Sequence, residues 1–199
     1  MGDASSEVVY AVWTMIGLGD SNRRGSAVER RERTSLAGNV EHIVLEERYP
    51  VALDAKMTLE DLLKVGNYDM HIGDPSEARQ MFDVDPSIHD TVLALMGFGC
   101  ACAVEHMCEV MENVGYRPAT LRELLALGAQ YPDLQRQRIL VALGSVNYAT
   151  YIEQEGSEWS LDTAVHVPVL THLLGERTFL LGEYDGKYRP GYYFVCVKR

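Results

Sequence analysis

The densest group of potentially reactive side chains lies in the stretch GCACAVEHMC, residues 99 to 108. It contains Cys100, Cys102, His106 and Cys108. Structural zinc sites usually combine two ligand pairs, with about two to four residues between cysteines or about three to five between histidines. Here only one residue separates Cys100 from Cys102, and only one separates His106 from Cys108, so both spacings are shorter than that. We therefore interpret the cysteines as small buried hydrophobic residues, with reduced thiols.

A metal- or thiol-dependent enzyme centred on the same four residues is the alternative hypothesis. If residues from 103 onward are helical, His106 lies about one turn from Cys102, and the two side chains could share a face. Cys108 and His106 are two positions apart, so on a helix they do not face each other as a nucleophile and its base would. We expect no catalytic residue, no metal and no cofactor.

Two other stretches that could do chemistry have the character of ordinary surface. GLGDSNRRG, at 17–25, lacks the third glycine of a dinucleotide-binding loop and the G-K-[ST] ending of a P-loop. The acidic pairs Glu46-Glu47 and Glu60-Asp61 have no spacing that links them into an acid–base pair.

The C-terminal part of the chain has the composition of a recognition loop. Tyr184, Tyr188, Tyr192 and Tyr193 lie among Asp, Gly, Arg and Pro residues. Tyrosine gives a large amphipathic contact surface at low entropy cost, while glycine and aspartate adapt the backbone. An equally good interpretation is a tyrosine-rich sheet face that packs against the N-terminal residues.

The elements that must position these residues follow from periodicity and capping signals. Three runs of β-favouring or apolar residues predict strands, at 7–16, 39–51 and 90–99. Four helices are predicted from their caps and apolar periods. The first begins at Thr58 and ends at Gly66, and the second begins at Asp74 and Pro75 and ends at Phe82. The third begins at residue 103 and ends at Gly115. The fourth begins at the capping box of Thr120 and Glu123.

The last fifty residues predict strands without any helical period. A strand at 139–143 precedes three short apolar runs, VHVPVLTHLL, RTFLLGEYDG and YYFVCVKR. Asp185-Gly186 between the last two is a strong signal for a two-residue hairpin. A strand followed by helices and then by several strands is an α+β pattern.

Composition limits the class of partner. The chain has 199 residues, 47% of them hydrophobic, and a net charge of -11, which argues against a nucleic-acid partner. No run approaches the roughly eighteen apolar residues of a membrane span. The N-terminal MGDASSE is acidic, unlike a signal peptide. We expect a cytoplasmic or virion-associated protein.

Several segments carry a resemblance to a known family: MTLEDLLKVGNYD, GYRPATLRELLALGAQYPDLQR, ILVALGSV, VPVL, GERTFLLGEYDGKY and YYFVCVKR. Through them, residues 57–199 resemble the C-type-lectin-like variable proteins of diversity-generating retroelements, especially small proteins of this kind from candidate-phyla bacteria and archaea. The most specific part is R-P-A-T-L-x-E-L-L followed by ALGSV. Tyr193 departs from the pattern, since the family usually has Arg at this place.

The resemblance implies a C-type-lectin-like fold of the α+β class over 57–199, preceded by a β-rich extension over 1–56. It also implies that the C-terminal strands and loops display diversified side chains on one face. The positions that it marks as ligand-binding are Thr171, His172, Phe179, Leu181, Tyr184, Asp185, Tyr188, Arg189 and Tyr192.

The function expected from these observations is ligand recognition rather than catalysis, with a protein or a cell-surface molecule as the ligand. Besides the enzyme centred on the cysteines, a second alternative is an acidic inhibitor or adaptor that binds a basic partner. Residues 1–50 could add strands to the sheet or form an oligomer contact.

Overall fold

The computed structural model describes residues 43–68, 70–82, 90–98, 103–155, 158–184 and 191–199. Within these ranges the strands are β1 (Ile43–Val51), β2 (Met70–Ile72), β3 (Thr91–Phe98), β4 (Tyr116–Pro118), β5 (Ile139–Val141), β6 (Asn147–Glu155), β7 (Glu158–Leu173), β8 (Glu176–Glu183) and β9 (Tyr192–Lys198). The helices are α1 (Leu59–Gly66), α2 (Pro75–Met81), α3 (Val104–Asn113), α4 (Leu121–Gln130) and α5 (Leu134–Gln137). None of these helices is long and apolar enough to cross a membrane.

The strands form one mixed sheet in the order β1-β3-β9-β5-β7-β8-β2, with β4 also paired to β9 and β6 to β7. The pairs β2–β8 and β5–β9 are parallel, and the other pairs are antiparallel. A mixed sheet with several helices confirms the predicted α+β class.

Alternation along the strands separates two layers of core. On β3, Leu95 belongs to the cluster that contains α1, α2 and α4, whereas Met96 belongs to the cluster under α3. We call these two sides of the sheet the α4 face and the α3 face. Because successive side chains of a strand point to opposite faces, each interior strand contributes to both cores.

Helix α4 is the most deeply buried helix described, since every residue from Leu121 to Gly128 is buried. Its start is the predicted capping box, in which the Thr120 side chain accepts from Glu123 N–H while the Glu123 carboxylate accepts from Thr120 N–H at 2.8 Å. The same carboxylate accepts hydrogen bonds from Nη1 and Nη2 of Arg117, at 2.9 and 2.7 Å. The charge of buried Glu123 is thereby compensated.

Most of the predicted elements within the described ranges are present, with shifted ends. The strand predicted at 39–51 is β1, and it pairs with β3 across the expected boundary between residues 56 and 57. The strand predicted at 7–16 lies outside the described residues. Helix α1 ends at Asn67 in the left-handed conformation (φ 47°) rather than at Gly66, because the short polar side chain of asparagine tolerates that conformation.

The predicted hairpin between the last two apolar runs is wrong. Its turn, Asp185-Gly186, lies outside the described residues, but β8 and β9 are not neighbours, because β5 and β7 lie between them. The side chains of β9 from Phe194 to Val197 are buried on both faces, between β3 and β5. A strand that is apolar on both faces is stabilised most at the centre of a sheet, and this long-range term outweighs the local turn signal.

Candidate functional site

A cleft opens on the α4 face between α1, α2 and β8. Phe179 and Leu181 of β8 form its floor, and its volume is about 450 Å³. Such a volume lies within the range of small-molecule sites, about 300–1,000 Å³. The other lining residues are Leu59, Glu60, Leu63, Lys64, Asn67, Tyr68, Gly73, Asp74, Pro75, Ala78 and Arg79.

Helix α1 forms one wall, and its first turn is fixed by a second capping box. Thr58 Oγ1 accepts from Asp61 N–H at 3.1 Å, and the Asp61 carboxylate accepts from Thr58 N–H at 3.0 Å. These hydrogen bonds to its charged form hold the pKa of Asp61 below its usual value. With the start of the helix fixed, Leu62 is buried in the core while Leu59 and Leu63 line the cleft.

Helix α2 forms the opposite wall. Asp74 caps it, since its carboxylate accepts from Ser76 N–H at 2.8 Å and from the Ser76 hydroxyl at 2.7 Å, and these bonds lower the pKa of Asp74. On its far side, Glu77 contacts His166 Nδ1 of β7 at 2.8 Å, with both side chains about four-fifths buried. Helix α2 is therefore capped at its start and held to the sheet through Glu77.

The connection between β2 and α2 requires a glycine. Gly73 has a φ of +113°, and a Cβ there would lie 2.9 Å from the Cβ of Leu181. Only glycine combines that backbone conformation with this close approach. The close packing of Gly73 against β8 holds the start of α2 directly beside the floor of the cleft.

The rim of the cleft is crossed by an ion pair between its two helical walls. Arg79 Nε of α2 donates to Glu60 Oε1 of α1 at 2.8 Å, and both side chains are more than half exposed. The hydrogen bond from Arg79 lowers the pKa of Glu60. Exposed pairs contribute little to stability, so the main consequence is that Glu60 and Arg79 neutralise each other at the rim.

Tyr68 lines one end of the cleft, and the buried guanidinium of Arg177 lies beside its ring. Arg177 donates to the carbonyls of Gly66 and Gly128, in the last turns of α1 and α4, and to Gln135 Oε1 at 3.2 Å. Its guanidinium carbon lies 5.1 Å from the centre of the Tyr68 ring. A cation is favourable where two helices present their C-terminal carbonyls. This network holds the end of α1 against the end of α4.

Tyr68 is itself fixed within this network. Its hydroxyl donates to the carbonyl of Leu125 at 3.4 Å, and burial raises the pKa of the phenol although Arg177 opposes the shift. The ring therefore stays neutral and packs 6.4 Å from Phe179, centre to centre. Tyr68 and Phe179 thus form the aromatic end of the cleft.

The structure brings together only some of the positions expected to bind ligand. Phe179 and Leu181 meet in the cleft. Tyr184 and Tyr192 pack on the opposite, α3 face, where alternation from Val169 also places buried Thr171. His172 is half-buried and lies opposite Arg177 in the β7–β8 register. Asp185, Tyr188 and Arg189 lie outside the described residues.

The described C-terminal positions therefore do not form one exposed recognition face. Thr171, Phe179, Leu181 and Tyr192 are at most 7% exposed. The reason is the topology, because β7, β8 and β9 each have strand neighbours on both sides and carry core clusters on both faces. Positions that read as a display surface in the sequence are mostly core in the fold.

The cysteine-rich stretch is described only in its second half. His106 is exposed and lies 3.9 Å from Glu109, and Cys108 is half-buried beside it in α3. Burial, and then the charges of Glu105 and Glu112, raise the pKa of Cys108, which disfavours a thiolate nucleophile. Cys100 and Cys102 lie outside the described residues, within which no three His, Cys, Asp or Glu side chains form a metal-binding group.

The fourth cysteine is part of the core. Cys196 of β9 is buried, its thiol donates to the carbonyl of Ala94 at 3.4 Å, and burial raises its pKa to about 12. A thiol with such a pKa is protonated at neutral pH. Cys196 is therefore a small buried residue of the core.

Sequence reasoning missed the two helical walls of the cleft. The caps predict the helices α1 and α2 but assign no residue of either helix to a face, and Leu59 and Ala78 pack in the core. Leu63 and Pro75, which complete the walls, carry no distinguishing signal, because an apolar position on a helix has the same spacing whether it faces a neighbour or an open cleft.

The chain matches no protein-family model, no curated protein and no solved structure.

Proposed function

We propose that this protein binds a ligand rather than transforming one, and that its binding site is the cleft between α1, α2 and β8. The observation that carries the proposal is an open, mostly apolar cleft of about 450 Å³ on a rigid frame. An apolar cleft of this size with a few polar groups at its rim is the usual form of a small-molecule site.

The frame favours binding because its parts are already in place. The walls are fixed by the capping box of α1 and by the Asp74 cap of α2, and the end wall is fixed by the network of Arg177 and Tyr68. A preformed site does not lose the free energy of ordering its own side chains when the ligand enters. The carboxylates of Glu60 and Asp74, which line the cleft in the described part of the chain, are already engaged in hydrogen bonds.

The family resemblance supports the same class of function. The variable proteins of diversity-generating retroelements are recognition proteins, and Phe179 and Leu181 are two of the positions that the resemblance marks as ligand-binding. Membership of that family and a C-type-lectin-like fold are part of this proposal. A reverse-transcriptase gene beside this one, with a near-identical template repeat, would test the family assignment.

Binding of a neutral apolar probe tests the site. N-phenyl-1-naphthylamine, whose fluorescence rises in apolar surroundings, is titrated with the purified protein. We expect saturable binding of one probe molecule per chain. Leu63→Trp, which fills the cleft from α1, should abolish it, whereas the matched change Val65→Trp should not, because Val65 is 61% exposed on the same helix and outside the cleft.

Thermal unfolding of both tryptophan variants establishes that they fold. Absence of saturable binding to the unmodified protein, or an equal loss in Val65→Trp and Leu63→Trp, would refute the cleft as a binding site. Binding that survives in Leu63→Trp would also place the probe elsewhere.

A further inference from the structure

The charges at the rim of the cleft are unequally engaged. In the described part of the chain, the charged residues that line it are Glu60, Lys64, Asp74 and Arg79. Glu60 is bound to Arg79, and Asp74 is bound to the first turn of α2. Lys64 differs from these three, because its ammonium makes no hydrogen bond or ion pair with the described part of the chain.

Asp61 lies in the field of Lys64 but does not bind it. Lys64 acts on Asp61 only through its field, and the Asp61 carboxylate is held by the backbone and hydroxyl of Thr58. Lys64 lies on α1 four residues after Glu60, which places it one turn further along the same wall. Among the described residues, the rim therefore presents in Lys64 a cation that an incoming group can pair with, beside two carboxylates that already accept hydrogen bonds.

This local charge contrasts with the whole chain, whose net charge is -11. A long-range field of that sign repels anions and gives an anionic ligand no steering. At about 0.1 M salt, charges further than about 10 Å apart are largely screened. A carboxylate at the rim then responds to Lys64 and to the other charges of the rim, and not to the distant acidic surface.

We infer that the cleft takes an anionic amphiphile, a molecule with an apolar chain over Phe179 and Leu181 and a single carboxylate paired with Lys64. This inference rests on the proposed function, because it names the ligand class of the same cleft. The apolar part supplies most of the affinity by burying surface against the leucines and Phe179. The carboxylate remains at the solvent-exposed rim, where it keeps most of its hydration and fixes the orientation of the ligand's apolar chain.

Three eight-carbon probes separate the contributions of chain and head group. Octan-1-ol, octanoate and octylammonium share one chain and differ in the charge of the head. Each is titrated into ¹⁵N-labelled protein at about 0.1 M salt, and the amide shifts of cleft residues give the dissociation constant. All three are measured on the unmodified protein, on Lys64→Gln, and on Lys56→Gln, in which an exposed lysine outside the cleft is changed.

The expected result is selective. Because an exposed ion pair is weak, Lys64→Gln should weaken octanoate binding about threefold, leave octan-1-ol unchanged and strengthen octylammonium slightly. Lys56→Gln should change none of the three. A loss of octanoate affinity in Lys64→Gln alone, with octan-1-ol unaffected, supports the inference.

The other outcomes overturn it at distinguishable levels. If octan-1-ol and octanoate both bind but Lys64→Gln changes them equally or not at all, the carboxylate assignment fails while the cleft remains a binding site. If Lys56→Gln weakens octanoate as much as Lys64→Gln does, the effect comes from overall charge and the assignment fails. If none of the probes shifts the amides of cleft residues, the proposed function fails with it.

Discussion

The hydroxyl of Tyr184 accepts a hydrogen bond from the backbone N–H of Val104 at 2.6 Å, 80 residues earlier in the chain. Val104 is the first residue of α3, and Ala103 at the N-cap has no side chain that could accept from this turn. The N–H groups at a helix start need acceptors from outside the helix. A tyrosine that reads as a ligand anchor in the sequence thus caps a helix in the fold.

Tyr184→Phe should therefore destabilise the protein by about 1 kcal/mol, because one helix-capping hydrogen bond is lost in a partly buried place. Urea unfolding measures the change. Tyr148→Phe is the matched control, since Tyr148 is 70% exposed and should lose nothing measurable. Unchanged stability in Tyr184→Phe would contradict the capping role.

Arg177→Met should cost about 3 kcal/mol or more. The substitution keeps a long apolar stem but leaves the carbonyls of Gly66 and Gly128 and the Gln135 amide oxygen without their buried donor. Arg136→Met, on an arginine that is 57% exposed, controls for the change of side-chain type. Equal unfolding free energies for the two variants would show that the Arg177 network contributes nothing to stability.

The two capping boxes offer a comparison of burial. Glu123→Ala should cost about 2 kcal/mol, because it removes the cap of α4 and the carboxylate that pairs with Arg117. Asp61→Ala removes the equivalent group of the exposed box at α1 and should cost less. A larger loss in Asp61→Ala would contradict the view that the buried box dominates.

The cap of α2 predicts a specific pH dependence. The pKa of Asp74 is lowered in the folded state. The contribution of its carboxylate to the free energy of unfolding is therefore fully present above the unfolded pKa of about 4, and is lost as the pH falls through the lower folded value. Asn caps helices as well as Asp does, so Asp74→Asn removes mainly the charge.

Unfolding of the unmodified protein and of Asp74→Asn is compared from about pH 6 to about pH 2. The stability advantage of the aspartate should be constant at the upper end and shrink toward the lower end. An advantage that grows as the pH falls would reverse the sign and refute this account of the cap.

The turn between β7 and β8 predicts a stabilising substitution. Leu174 has a φ of +52°, is 84% exposed, and is followed by Gly175 at +92°. Asparagine tolerates this conformation better than leucine and is favoured in two-residue hairpin turns. Leu174→Asn should raise the unfolding free energy by about 0.5 kcal/mol. A lower melting temperature would show that the exposed leucine makes a contact that outweighs the strain.

Local signals predicted much of this fold. The starts of α1, α2 and α4 depend on Thr58, Asp74 and Thr120, each of which bonds to a backbone N–H two or three residues later. Interactions of such short range can be read from spacing alone. The amphipathic period of α3 likewise identified Met107 and Met111, which are fully buried.

Of the candidate site, the sequence identified the floor but not the walls. Phe179 and Leu181 are positions that the family resemblance marks, whereas nothing in the spacing of Leu63 and Lys64 separates a wall of a cleft from an ordinary helix surface. The walls form a cleft because α2 lies opposite α1. That position depends on the packing of Gly73 against Leu181, 108 positions away in the chain.

By itself, the sequence determined the longer helices and where they begin, because those choices depend on neighbours within about one turn. It did not predict the short elements β2, β4 and α5, or the strand β6. Only the tertiary structure decided that β9 lies between β3 and β5 rather than beside β8, and that Phe179 and Tyr192 belong to opposite faces of the sheet. Strand order and facing depend on how much apolar surface each long-range pairing buries, and a local turn signal such as Asp185-Gly186 contains no information about that quantity.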